Sequence, residues 1–248
     1  MLRVVKNKKK NCKKIYIFFL IIFLIMFLIS LYKIIEWKIY NNADEKILEE
    51  LENTINIEAY DDDLTYNIDF KTLKEKNHDM VAWIKVNGTS IEYPVVQTTN
   101  NNYYLKYNFY KEYNPSGWIF ADYRNKLDGT DNNIIVYGHN VKDGSMFNSL
   151  KNVLKSEWYE NKDNSKIIFV TENEIQQYEV FSVYKILDEG YYIKTEFENN
   201  EFGNFLNTIK KRSIYDFNVE LSETDQILTL STCANNSAYR VVVHAKKQ

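Results

Sequence analysis

The hydrophobic pattern divides the chain into two unlike parts. Residues 15–32 are apolar or aromatic at every position except Ser30. Eighteen such residues form a helix of roughly 27 Å at about 1.5 Å per residue, enough to cross a bilayer core. A run apolar all round has no polar face to turn to water, which argues against a helix of a folded domain. Residues 33–68 change texture. Tyr32 and Trp37 suit a membrane interface, Glu45 to Leu51 has a helical pattern, and Asp61-Asp62-Asp63 reads as a solvated turn.

From Asp69 onward short apolar runs alternate with turn residues. Asp69 reads as the N-cap of a helix over Phe70 to Asn77. Strand patterns follow at Met80–Val86, Ser90–Gln97, Gly117–Asp122, Asn133–His139, Lys166–Thr171, Gln177–Leu187, Gln226–Cys233 and Tyr239–Ala245. Met146–Leu154 and Glu196–Arg212 read as helices. Eight strands with a few helices predict a mostly β domain closed into an antiparallel or mixed barrel, since closure removes exposed strand edges. The segments are then a basic tip (1–14), a transmembrane anchor (15–32), a stalk or linker (33–68) and a folded outer domain (69–248).

Composition adds a direction to the anchor. Residues 1–14 hold seven Lys/Arg and no acid, which places the N-terminus in the cytoplasm and the large domain outside. No small-residue cleavage site follows the apolar run, so it reads as an uncleaved anchor. Without the tip the remainder has 24 Lys+Arg against 34 Asp+Glu. That balance argues against nucleic acid as a partner, which would need a basic face. The chain has two cysteines, Cys12 before the apolar run and Cys233 far after it. Cys233 is therefore a lone thiol in the outer domain, either inert core or a nucleophile.

Strand alternation gathers the candidate chemistry. Thr229, Ser231 and Cys233 share one strand face and Leu228 and Leu230 the other; Tyr137 and His139 share a face, as do Arg240, Val242 and His244. A groove lined by Tyr137, His139, Ser231, Cys233 and Arg240 follows if the three strands approach one another. Cys233 supplies a nucleophile, His139 a proton donor near neutral pH, and Arg240 a charged fork for an oxyanion. His78 ends a polar helix and reads as surface. His244 lies about 13 Å along the strand from Arg240 and reads as structural.

Thr229-Leu230-Ser231-Thr232-Cys233 followed by Arg240, with Gly138-His139-Asn140 upstream, resembles the sortase family of membrane-anchored cysteine transpeptidases, over roughly Asp69 to Lys247. Ile91 to Gln97, Tyr103-Tyr104-Leu105, Phe120 to Arg124 and the helix before the Cys strand are similar to class B sortases. The resemblance implies an eight-stranded sortase barrel in which Cys233 attacks the Thr carbonyl of an NPxTN- or NPxTG-like sorting signal on a secreted protein. His139 would protonate the leaving amine and Arg240 would stabilise the oxyanion. An amine of peptidoglycan or of its lipid-linked precursor would resolve the thioester. Asn101, Leu105, Tyr137, Ser231 and Thr232 match substrate-contacting positions of class B relatives. No metal and no cofactor is expected. Two other readings stay open: a thiol peptidase that only hydrolyses, and a non-catalytic surface-binding module.

Overall fold

The computed structural model describes residues 2–52, 55–60, 63–187, 189–198, 201–233 and 238–248, with backbone only for 2–12, 41, 52, 55–60, 63–66 and 233. The chain forms two compact units, residues 1–45 and 46–248. Helix α1 (Leu2–Glu52) carries the apolar run. Within the first unit the side chains from Ile15 to Leu31 are exposed, and by length and composition this helix is a candidate membrane span. The tip's side chains up to Cys12 lie outside the described residues.

In the second unit the helix end joins the core through Ile47 and Leu51. Strands β1 (Ile55–Tyr60) and β2 (Asp63–Ile68) then pair as an antiparallel hairpin. The sequence pattern offered no strands there. Asn and Asp interrupt the alternation, and the pairing rests on backbone hydrogen bonds that composition does not announce. The expected turn at Asp61 and Asp62 lies outside the described residues.

Helix α2 (Phe70–Lys76) is capped as expected: Asp69 Oδ1 accepts from Thr72 N at 3.0 Å. The strands that follow are β3 (Met80–Val86), β4 (Ile91–Val96), β5 (Phe120–Ala121), β6 (Asn133–His139), β7 (Lys166–Thr171), β8 (Ile175–Leu187), β9 (Ile227–Cys233) and β10 (Tyr239–Lys247). Among the described residues these eight close a barrel in the order β10-β8-β7-β3-β4-β5-β6-β9. It is mixed: β4–β5 and β6–β9 are parallel and the other pairs antiparallel. Inward residues such as Ile84, Val95, Val136, Phe169, Leu228 and Leu230 fill it.

Two helices differ from the sequence expectation. Met146 has φ of +52° and its neighbourhood bridges to Asn140, so the expected Met146–Leu154 helix becomes a 3-10 stretch over Asn148–Leu154. A short helix α3 (Ser156–Glu160) follows it. Helix α4 (Glu201–Lys211) occupies the core of the expected Glu196–Arg212 segment. Its Phe202, Phe205, Leu206 and Ile209 recur at helical spacing and pack on Phe181, Tyr184 and Val242 of the barrel's outer face.

Candidate active site

The site forms where β6 and β9 run side by side. Their parallel register pairs Tyr137 with Ser231, Gly138 with Thr232 and His139 with Cys233. Gly138 lies against the core so closely that a Cβ there would sit 2.5 Å from Ile119 Cδ1 and 2.6 Å from Phe147 Cγ. Strand β10 runs antiparallel on the far side of β9 and carries Arg240 near its start.

A cavity of about 330 Å³ opens over these strand ends. Tyr137, His139, Ser231, Thr232 and Arg240 line it, together with Asn101 and Leu105 from the segment between β4 and β5. All seven are residues singled out in the sequence. Cys233 is placed by its backbone, opposite His139; its side chain and the connection at 234–237 lie outside the described residues. Three further lining residues were not anticipated: Phe120, Tyr192 and Ile193. Phe120 lay inside a run read as strand. Tyr192 and Ile193 lie in a 3-10 turn, Gly190–Ile193, and an apolar run after a glycine carries no sign that it faces a cleft.

His139 is held in one tautomer. Its Nε2–H donates to the Leu105 carbonyl at 2.9 Å, because a carbonyl only accepts. The lone pair of the neutral ring is then on Nδ1, which is buried and has no hydrogen-bond partner among the described residues. Burial lowers the His139 pKa, the Leu105 hydrogen bond opposes this, and the Arg240 charge lowers it further. The imidazole is mainly neutral at pH 7 and close enough to Arg240 to feel its field.

Leu105 reaches His139 because the chain turns tightly at Gly117. There φ is +60°, and a Cβ would lie 2.3 Å from the Tyr104 carbonyl oxygen and 3.1 Å from His139 Cδ2. Trp118 N donates to that same Tyr104 carbonyl at 2.9 Å.

One wall of the cleft is tied down at four consecutive residues. Tyr191 Oη donates to Tyr184 Oη at 3.1 Å and Tyr192 Oη bonds Ser231 Oγ at 3.0 Å. The Ile193 carbonyl accepts from Arg124 Nη2 at 2.9 Å, and the Lys194 carbonyl from Asn133 Nδ2 at 2.9 Å. Beneath the floor, Asp122 accepts from Asn101 Nδ2 (2.9 Å), Tyr137 Oη (2.8 Å) and Arg124 Nη2 (2.7 Å). Burial alone would raise its pKa; the Arg124 and Tyr137 hydrogen bonds outweigh that and hold the carboxyl below its ordinary range.

His244 is fully buried and stands apart from the cleft. Its Nε2 meets Tyr184 Oη and its Nδ1 meets Thr229 Oγ1, each at 2.8 Å. Burial pushes its pKa down to about 3. His78 has an exposed side chain 3.3 Å from Asp79. Both match the structural and surface roles expected of them. Among the described residues no group of three or more His, Cys, Asp or Glu is placed to hold a metal ion.

A cysteine in backbone register with a buried histidine, at a cleft lined by that histidine and an arginine, is compatible with thiol acyl transfer. A model of the sortase domain matches residues 84–248. The chain belongs to the sortase family. As a sortase it is a cysteine transpeptidase, and its relatives place it in class B. It is 40% identical to sortase B of Listeria monocytogenes over 184 residues, covering 72% of this chain and 73% of that one. It is 36% identical to sortase B of Staphylococcus aureus over 220 residues, covering 87% and 89%. The crystal structure of Bacillus anthracis sortase B in complex with AAEK1 superposes with a TM-score of 0.74 at 37% identity, covering 84% of this sortase and 98% of that chain.

Proposed function

We propose that this sortase is anchored by residues 15–32, with residues 1–14 in the cytoplasm and residues 69–248 outside, carried by a stalk over 33–68. The continuous apolar helix and the basic tip support that topology. Its substrates are secreted proteins bearing an NPxTN- or NPxTG-like signal, cleaved after the Thr.

The observation that carries the reading is the register of His139 with Cys233, with Arg240 in the same cleft. Cys233 thiolate adds to the Thr carbonyl carbon, and Arg240 N–H groups stabilise the oxyanion. Collapse of the tetrahedral species breaks the C–N bond, and His139 Nδ1–H protonates the departing amine. A thioester on Cys233 remains. The attacking amine of peptidoglycan or its lipid-linked precursor returns a proton to His139 as the new amide forms and the thiolate leaves. The neutral tautomer set by Leu105 leaves Nδ1 as the atom that carries this proton in both directions. Asn101, Leu105, Tyr137, Ser231 and Thr232 hold the peptide in the cleft. Strand alternation, a period of two, supports giving the residue two past Ser231 to the same cleft.

The test uses the full chain in detergent with a panel of fluorogenic x-Pro-x-Thr-x peptides, with and without an amine, and mass spectrometry of Cys233. An acyl-enzyme plus an amine-ligated product is expected. Cleavage with no ligation under any amine would replace transfer by hydrolysis.

A further inference from the structure

Asp122 follows the two-residue strand β5 and has no exposed surface. Its Oδ1 accepts from Arg124 N at 3.0 Å and Arg124 Nε at 2.8 Å. Its Oδ2 accepts from Arg124 Nη2, Tyr137 Oη and Asn101 Nδ2. An ionised carboxylate only accepts, so each partner must turn a donor toward it. Asn101 Oδ1 is taken by Tyr123 N–H at 3.0 Å, so the Asn101 amide has one permitted orientation. The second N–H of its Nδ2 is the donor left for the cleft. Tyr137 gives its hydroxyl proton to Asp122. Burial and the neighbouring carboxylate push the Tyr137 phenol up, so it keeps that proton at neutral pH. Toward the cleft its oxygen therefore accepts. Arg124 extends past Asp122 to the Ile193 carbonyl on the opposite wall.

We infer that the Asp122–Arg124 pair is a positioning device for peptide recognition: it presents a donor at Asn101 and an acceptor at Tyr137, and it fixes the Ile193 wall across from them. The cleft then takes an extended peptide backbone that offers a carbonyl toward Asn101 and an N–H toward Tyr137. Neither Asp122 nor Arg124 lines the cleft, and neither acts on the reacting atoms. The inference rests on the transpeptidase reading above. Three groove residues from three separate chain segments converge on one ion pair whose carboxylate is buried, and misplacing such groups by about 1 Å costs up to about a hundredfold in rate.

The experiment compares full-length wild type, Asp122→Asn and Arg124→Ala in detergent by three readouts. These are KM and kcat on the peptide found by the panel, the iodoacetamide rate at Cys233 resolved from Cys12 by peptide mapping, and hydrogen exchange of the Asn101 side-chain amide by NMR. The expected result is a rise in KM of about tenfold or more, slowed Asn101 amide exchange in wild type that is lost in Asp122→Asn, and an alkylation rate within about twofold of wild type, because a positioning residue leaves the thiol itself intact. If Asp122→Asn fails to fold, Arg124→Ala carries the kinetic test, since the Arg124 side chain is 35% exposed against 0% for Asp122. Unchanged KM and unchanged Asn101 exchange with a lower Tm would reduce the pair to a structural salt bridge and overturn the inference. Wild type that cleaves no peptide would count against the transpeptidase reading, and the Asn101 exchange then decides the positioning role by itself.

Discussion

His139 and Leu105 are joined by a 2.9 Å hydrogen bond from the ring Nε2 to a backbone carbonyl. The bond leaves the lone pair of the neutral ring on Nδ1 and ties the ring to the segment that also supplies two cleft-lining residues, Asn101 and Leu105. Burial and Arg240 hold the His139 pKa down. The protonated ring that the proposed mechanism uses to release the amine is thus a minority form at neutral pH. It vanishes as pH rises, whereas the thiolate vanishes as pH falls. The rate should trace a bell. A flat profile between about pH 6 and 9 would contradict this. In an NMR titration His139 should titrate below the ordinary imidazole value of about 6.5. Arg240→Gln should raise it by removing the smaller, Coulombic contribution while burial remains; a fall on that substitution would show that Arg240 does not act on the ring.

Cys233→Ala should abolish turnover and remove the alkylation of residue 233. His139→Ala should retain an alkylatable thiol yet lose about 10²–10⁴-fold in turnover, the usual contribution of a positioned acid–base group. Turnover of Cys233→Ala close to wild type would remove the nucleophile from the mechanism.

Gly117→Ala tests the turn that packs on His139. The left-handed backbone and the overlap with the Tyr104 carbonyl oxygen should cost about 1–3 kcal/mol, read as a Tm lower by about 2–10 °C for a domain of this size. Activity should fall as well, because the carbonyl that orients His139 belongs to the next residue, Leu105. Wild-type Tm and rate would mean that the turn relaxes freely.

His244 predicts the acid limb of stability. It is neutral in the folded state, its pKa pushed down to about 3, whereas the unfolded chain binds a proton near pH 6.5. A depressed folded pKa gives stability that is complete above the unfolded value and is lost as pH falls toward the folded one. His139 adds in the same direction. Urea midpoints should drop between about pH 6.5 and 4. His244→Asn should lower the pH 7 midpoint and flatten that slope. Burial keeps the ring neutral, and the bonds around it fit that form. Tyr191 donates to Tyr184, Tyr184 to His244 Nε2, His244 Nδ1 to Thr229, and Thr229 to Asn133 at 2.6 Å. A second ring proton would face a hydroxyl already donating toward it. An acid slope identical in His244→Asn would assign the loss to other groups.

The barrel was legible in the sequence because its strands are short apolar runs bounded by turn residues: β3, β6 and β7 begin and end where the pattern does. Parity likewise put Tyr137, His139, Ser231 and Arg240 on faces that meet. The rest depended on three-dimensional pairing. The β1–β2 hairpin is held by backbone bonds between polar runs. β5 shrinks to two residues because Gly117 and Trp118 are drawn into the turn over Tyr104. Tyr192 and Ile193 join the cleft through partners, Ser231 and Arg124, that lie 39 and 69 residues away. Asp122 stood in a recognised run, yet its role arises from bonds to Asn101 and Arg124 that no local pattern encodes.

The parallel join of β6 to β9 brings together residues 94 positions apart, and β9 and β10 are the last strands in chain order. Such a long-range pairing carries a large loop-closure entropy, which slows its formation. Until β9 docks, the barrel is open, His139 has no cysteine in register, and the floor beneath Tyr137 has no Ser231 beside it. The backbone register of Cys233 with His139 is thus a property of the complete fold: it exists only where the barrel has closed.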